Sequence, residues 1–198
     1  EGRTSVAIQD YERAVTALRR AQEFDKDELR VDVRYFLGVV AEARGNPEQA
    51  LVAYSDGLSH HKGSEWFAEA GMRAGALASE RGDHAAAVQY YEKVRKHGRT
   101  PREKYDGGMH KGEALMATEE WQRAITTFRD VAERTANVDL RSDAYRMEAR
   151  VVAESGDPDR AEELYLVIIE KFPRTEAAAE AQFAIAERWD REGDLVKA

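Results

Sequence analysis

Residues 138–173 read VDLRSDAYRMEARVVAESGDPDRAEELYLVIIEKFP, and they spell out two helices with the turn between them. Tyr145, Ala149 and Val152 fall at i, i+4 and i+7, the spacing of one helical face. Gly156-Asp157-Pro158 comes next. Glycine just past a helical run supplies a left-handed C-cap, Asp caps the following helix through its side-chain oxygen, and Pro at the first helical position gives up only an N–H that had no partner. Ala161, Tyr165 and Ile168 mark the face of the second helix, and Phe172-Pro173 closes it.

Outward from this unit, the same features return along the chain. Ala14, Ala50, Ala87, Ala124, Ala161 and Ala198 are separated by 36, 37, 37, 37 and 37 residues, and Tyr54, Tyr91, Phe128 and Tyr165 follow the middle four at a distance of four. Twelve residues before each of the last five alanines stands Gly38, Gly75, Gly112, Ala149 or Ala186. Between the columns recur Gly45-Asn46, Gly82-Asp83, Gly156-Asp157 and Gly193-Asp194, with Pro47 repeating the role of Pro158. A fixed period of this length is the signature of stacked supersecondary units. The expected fold is all-α: a right-handed α-α superhelix, a solenoid of antiparallel helix hairpins. Full units are expected at 27–62, 63–99, 100–136 and 137–173, with a lone second helix at 1–26 and a truncated unit at 174–198. The start at Glu1 without Met and the stop at Ala198 inside a repeat are expected of a piece of a longer protein.

Local signals refine this plan. Asp10 is expected to cap the first helix, with Ala14, Leu18 and Ala21 on one face, and Ser64 is expected to cap the first helix of the third unit. Gly71 and Gly75 are packing sites or weak points, because an interior helical Gly costs about 0.8–1 kcal/mol relative to Ala. The fourth unit departs most: Gly107-Gly108 interrupts its first helix and Glu119-Glu120 replaces the glycine turn. Irregularity or mobility is therefore expected from Tyr105 to Gly112. In the last unit Phe183, Ile185 and Trp189 are expected to be incompletely covered.

Composition narrows the function classes. The chain has 30 basic and 38 acidic residues, a net charge of -8, spread along its length. Phosphate backbones favour a basic face, so nucleic-acid binding is disfavoured. No cysteine is present, which removes disulfides, thiolate chemistry and Cys-type zinc sites together. No run approaches the roughly 18 apolar residues of a membrane span.

Signals for catalysis are thin. His60-His61 beside Lys62 diverge on a helix and have no third metal ligand at useful spacing. His84, His97 and His110 have no recognisable acid or base partner, and the helix dipole accounts for His97 in a last turn. The run from Gly107 to Gly112 lacks the strand and spacing of a phosphate loop. The expectation is no enzyme, no metal and no cofactor.

The columns resemble tetratricopeptide repeats: a small residue in the first helix, a Gly-Asp-like turn, an Ala with a large residue four later, and a Pro at the exit. The usual unit of that family is about 34 residues, so the longer period here implies longer first helices. This format, with KFPRTEAAAEAQFAIAERWDREGD at 171–194 as its clearest stretch, is similar to repeats of bacterial cell-envelope proteins such as the periplasmic coordinator of the Tol-Pal system and outer-membrane assembly lipoproteins. An envelope location and a cytoplasmic one both stay open.

The resemblance implies a protein-interaction scaffold whose first helices line a concave face. The expected partner-binding residues are Tyr35, Met72, Arg73, Met109, His110, Met116, Arg146, Met147, Arg150 and Phe183. Methionine adapts to varied apolar partners, so these form a semi-apolar groove for an extended or helical peptide. Core packing of the methionines, and pairing of Arg73, Arg146 and Arg150 with neighbouring Glu, are the competing readings. The family's chaperone-binding members use a Lys/Asn clamp on a terminal carboxylate. The chain's two asparagines, Asn46 and Asn137, lie in a turn and a connection, which argues against that role. The alternative function is a spacer or self-associating arm, with end-to-end contact of the truncated units.

Overall fold

The computed structural model describes residues 2–22, 30–59 and 63–192. Among these residues the secondary structure is helical throughout, with ten helices: α1 Gly2–Gln22, α2 Arg30–Ala43, α3 Pro47–Gly57, α4 Phe67–Glu80, α5 His84–His97, α6 Pro101–Ala117, α7 Trp121–Arg134, α8 Val138–Glu154, α9 Pro158–Lys171 and α10 Glu176–Glu192. His60-His61, Gly193-Asp194 and Ala198 lie outside the described residues, as do the side chains of Leu18 and Ala21.

The turns follow the cap chemistry. Gly45, Gly82 and Gly156 take positive φ angles of 71°, 77° and 96°. The next residue in each case accepts a backbone N–H through its side chain: Asn46 from Gln49 at 3.1 Å, Asp83 from Ala86 at 3.0 Å, Asp157 from Arg160 at 3.1 Å. In the turn without glycine, Glu119 itself is forced to φ 57°, and Glu120 holds the cap position with no side-chain capping bond.

The chain forms two compact units, residues 1–110 and 111–198. In the first, α1 packs on α2, α2 on α3, α3 on α4 and α4 on α5, and α2 also touches α4. Ala50 and Ala87 are fully buried, as are Tyr54 and Ala74. A Cβ on Gly38 would sit 2.6 Å from Tyr54 Cδ1, and one on Gly75 would sit 2.5 Å from Tyr91 Cζ. The small residue and the aromatic of each hairpin thus form one seam. Gly71 is a packing site as well, because a Cβ there would collide with Val94. Tyr35 stacks on Trp66 with ring centroids 4.7 Å apart, and Phe36 meets both rings edge-on at 5.1 Å.

In the second unit α7 packs on α8, α8 on α9, and α10 on both α8 and α9. Ala124, Ala149 and Phe128 are fully buried and Ala161 nearly so. A Cβ on Gly112 would come to 2.5 Å from Phe128 Cε1. Glu148 is almost completely buried and its carboxylate accepts from Arg129 Nε at 3.0 Å.

Several expectations are corrected. Helix α1 runs through Asp10, which pairs with Arg13 at 3.6 Å instead of capping. Ser64 does not cap α4, which starts at Phe67 after Trp66; its hydroxyl donates to Asp32 on α2 at 2.6 Å and accepts from Trp66 N at 3.1 Å. Residues 105–112 are regular helix within α6. Gly107 there permits close approach, since a Cβ would meet Arg95 N at 2.7 Å. Ile185 is buried, although Phe183 is 67% exposed.

Candidate partner-binding surface

The expected contact residues divide by burial. Tyr35, Met109 and Met147 are buried, which decides for packing over surface presentation at these three positions. Tyr35 belongs to the aromatic cluster with Phe36 and Trp66. Met116 and Met72 are half-buried, and His110 is exposed. The sequence column alone does not separate these cases, because equivalent positions share a helix face but not the neighbours that cover it.

The arginines are paired. In the first unit Arg73 donates to Glu42 at 2.8 Å and to Glu69 at 2.9 Å. Glu42 also accepts the hydroxyl hydrogen of Tyr54. Burial and the bond to Glu42 raise the Tyr54 pKa, since ionising the phenol would place a second anion beside the carboxylate. Burial opposes the charge on Arg73, but the bonds to Glu42 and Glu69 overcome it and hold the guanidinium charged. His110 stacks on the Tyr91 ring at 5.4 Å.

In the second unit Arg146 Nη2 donates to Asp143 at 2.6 Å, and its Nε lies 2.7 Å from a Glu180 oxygen without the alignment of a hydrogen bond. Arg150 donates to Glu154 at 2.8 Å. Arg188 on α10, not singled out in the sequence, reaches α9: it donates to the Pro158 carbonyl at 2.7 Å and to Glu162 at 2.9 Å, and pairs with Asp159. Trp189 Nε1 donates to the same Glu162 at 3.3 Å, and its ring is half-buried, incompletely covered as expected.

Together α8, α9 and α10 frame an open cleft of about 630 Å³, with Arg146 and Arg150 on one side, Arg188 on another and Tyr165 on its wall. Arg150 is half exposed, while Arg146 and Arg188 keep only about a fifth of their side chains in solvent. Glu154, Glu162, Glu180 and Glu187 line the same cleft, so the concave surface offers arginines already paired with carboxylates. Among the described residues, no group of three His, Asp or Glu is placed to hold a metal ion, and no helix is long and apolar enough to cross a membrane.

An all-α array of helical hairpins, with glycine turns, Asn or Asp caps and an Ala-aromatic seam, defines the class. The sequence profile described as "Tetratricopeptide repeat" matches residues 1–58 and 109–174, well over half of the chain, and the chain belongs to that family. A search by sequence against curated proteins returned no match.

Solved structures agree on the fold. YrrB, described as a TPR protein with an unusual peptide-binding site, superposes with a TM-score of 0.58 at 18% identity, over 89% of this chain and 86% of that one. A putative kinesin light chain from Podosopora anserina, with nearly identical TPR-like repeats, gives 0.62 at 15% identity, over 84% and 86%. MamA from Desulfovibrio magneticus RS-1, from residue 41 to its end, gives 0.54 at 17% identity, over 84% and 97%. The narrower likeness to Tol-Pal and assembly lipoprotein repeats is not carried by these matches.

Proposed function

We propose that this chain is a protein-interaction scaffold that holds a peptide or a partner protein on the accessible faces of its first helices and carries out no catalysis itself. The observation behind this reading is the cleft on α8, α9 and α10, where arginine donors stand at the rim of an open concavity. Arginine in such a setting anchors partners through directed hydrogen bonds as well as charge. A fold neighbour, YrrB, is described by its peptide-binding site, which gives the same architecture a precedent for such use. Of the residues expected from sequence, Met72, Arg73, His110, Met116, Arg146, Arg150 and Phe183 retain surface for contact; Tyr35, Met109 and Met147 support them from within.

The test is affinity capture from a lysate of the source organism, with the wild-type chain beside Arg146→Gln/Arg150→Glu. A saturable partner lost in the variant, with unchanged helicity, is the expected result. Identical capture by both proteins overturns the assignment of this face.

One observation favours a second reading, self-association: the Phe183 ring on α10 is 67% exposed. Sedimentation velocity over a concentration series would then show association that Phe183→Ser removes. A monomer at all concentrations rules it out.

A further inference from the structure

The aromatic column is served differently in each repeat. Tyr54 donates to a Glu42 oxygen, and Arg73 donates to the same oxygen at 2.8 Å. At the same positions 37 residues on stand Tyr91, Ser79 and His110, with the histidine stacked on the tyrosine. A further 37 on, the hydroxyl is absent and both neighbours become apolar together: Phe128 with Met116 and Met147. In the last full repeat the hydroxyl returns as Tyr165, but the positions of Glu42 and Arg73 are taken by Ala153 and Ala184.

Both alanines and Tyr165 line the cleft of about 630 Å³. Two long side chains have been replaced by methyl groups, and the space they fill beside Tyr54 stands open beside Tyr165. Among the described residues no side-chain hydrogen bond acts on the Tyr165 hydroxyl, and the buried Nε of Arg146, 2.7 Å from a Glu180 oxygen, has no aligned acceptor. Burial raises the Tyr165 pKa, while Arg146 and then Arg150 pull it down more strongly than Glu154 pushes it up. Four arginines and four glutamates line the cleft, and at the hydroxyl Arg146 and Arg150 outweigh Glu154. An apolar guest would leave the Tyr165 hydroxyl and Arg146 Nε without an aligned acceptor, whereas a carboxylate supplies one in competition with Glu180 and Glu154, which already pair with Arg146 and Arg150.

We propose that this cleft receives a glutamate side chain of a partner peptide, whose carboxylate accepts from the Tyr165 hydroxyl and pairs with Arg146 and Arg150, as Glu42 does with Tyr54 and Arg73. The inference rests on the reading of the chain as a peptide-binding scaffold and names the group that its last repeat selects. Charge-assisted bonds of this kind are the strong ones among hydrogen bonds.

The test uses short peptides selected from a random display library on the full chain, resynthesised with amidated C-termini and titrated by fluorescence anisotropy. Selected peptides should share a glutamate whose change to glutamine weakens binding about 10-fold. Tyr165→Phe, nearly isosteric, should weaken binding by a similar factor and shrink the difference between the two peptides. Ala153→Glu/Ala184→Arg refills the cleft from within and should abolish binding while the fold, followed by circular dichroism, is kept.

Peptides without a required glutamate, or binding untouched by refilling, overturn the proposal and leave the scaffold reading standing. Affinity that appears only with a free C-terminal carboxylate overturns the side-chain assignment. Failure to select any binding peptide overturns the proposal and leaves the scaffold reading with a folded partner protein. Should the refilled variant fail to fold, Tyr165→Phe alone decides.

Discussion

Replacing Gly112 with Ala tests the seam on which every hairpin is built. By helix propensity alone the change is favourable, since Ala in a helix interior is better than Gly by about 0.8–1 kcal/mol. The added Cβ would lie 2.5 Å from Phe128 Cε1, whereas ordinary contact begins at 3.4 Å. The ring must therefore withdraw by roughly 1 Å or the two helices must part. Phe128 is fully buried and has no open side to move toward. Overpacking of this kind costs about 1–3 kcal/mol, which leaves a net destabilisation of about 0–2 kcal/mol after the propensity gain. In a chain of this size that lowers Tm by up to about 8 °C. Thermal and urea unfolding followed by far-UV circular dichroism measure it. The companion Ala149→Gly, at the same position one repeat later, loses propensity and a buried methyl and should cost about 1.5–2 kcal/mol. If the seam governs, both substitutions destabilise. A stabilised Gly112→Ala would show that propensity alone sets these positions and would refute the packing argument.

Glu119→Gly should stabilise the second unit by about 1 kcal/mol, because it removes a left-handed backbone from a residue with a Cβ. Adding Glu120→Asp should gain about 1 kcal/mol more by supplying the cap seen at Asp83 and Asp157, and an unmoved urea midpoint would contradict both. Arg129→Ala leaves the buried Glu148 carboxylate without its partner and should cost about 3 kcal/mol, the low end for a broken buried pair because the arginine is half exposed; a loss below about 1 kcal/mol would mean that water replaces the guanidinium. Burial raises Tyr35, Tyr54 and Tyr165 above the ordinary value of 10.0, with the bond to Glu42 adding to the effect at Tyr54. The unfolded chain ionises these phenols near 10 while the folded one holds them protonated, so the stability they contribute is full below about 10 and is lost as the pH climbs beyond it. Tyrosinate absorbance for these residues should therefore appear together with loss of helicity, and ionisation near 10 in a chain that stays helical would be the contrary outcome.

What could be read from sequence follows from the range of the interaction involved. The turns were legible because a left-handed glycine and an Asn or Asp cap act over four residues; Gly82-Asp83 carries its own instructions. The seam was legible because close packing repeated at a fixed period leaves a small residue in every copy, and Ala50, Ala87 and Ala124 are buried accordingly. Ser64 was misread because its hydroxyl is claimed by Asp32, a residue from an earlier hairpin that no local pattern reveals. Gly107 suggested irregularity for the same reason: the neighbouring helix that requires its missing side chain is invisible from within the run.

The surface was legible only in part, and the cause is physical as well. A 37-residue column assigns a residue to a helix, a height and a face, but not to the neighbours that cover that face, so Met109 and Phe183 shared a column and ended far apart in burial. The cleft required a different comparison, down the column and across to a partner. Glu42 and Arg73 look ordinary until their contacts with Tyr54 are known, and only then do Ala153 and Ala184 read as an opening around Tyr165. Repetition constrains the seam, because every hairpin must close on the same methyl. Nothing in that constraint governs the side chains at the end of the aromatic ring, and this freedom lets one repeat hold an internal carboxylate while another leaves room for a carboxylate from outside.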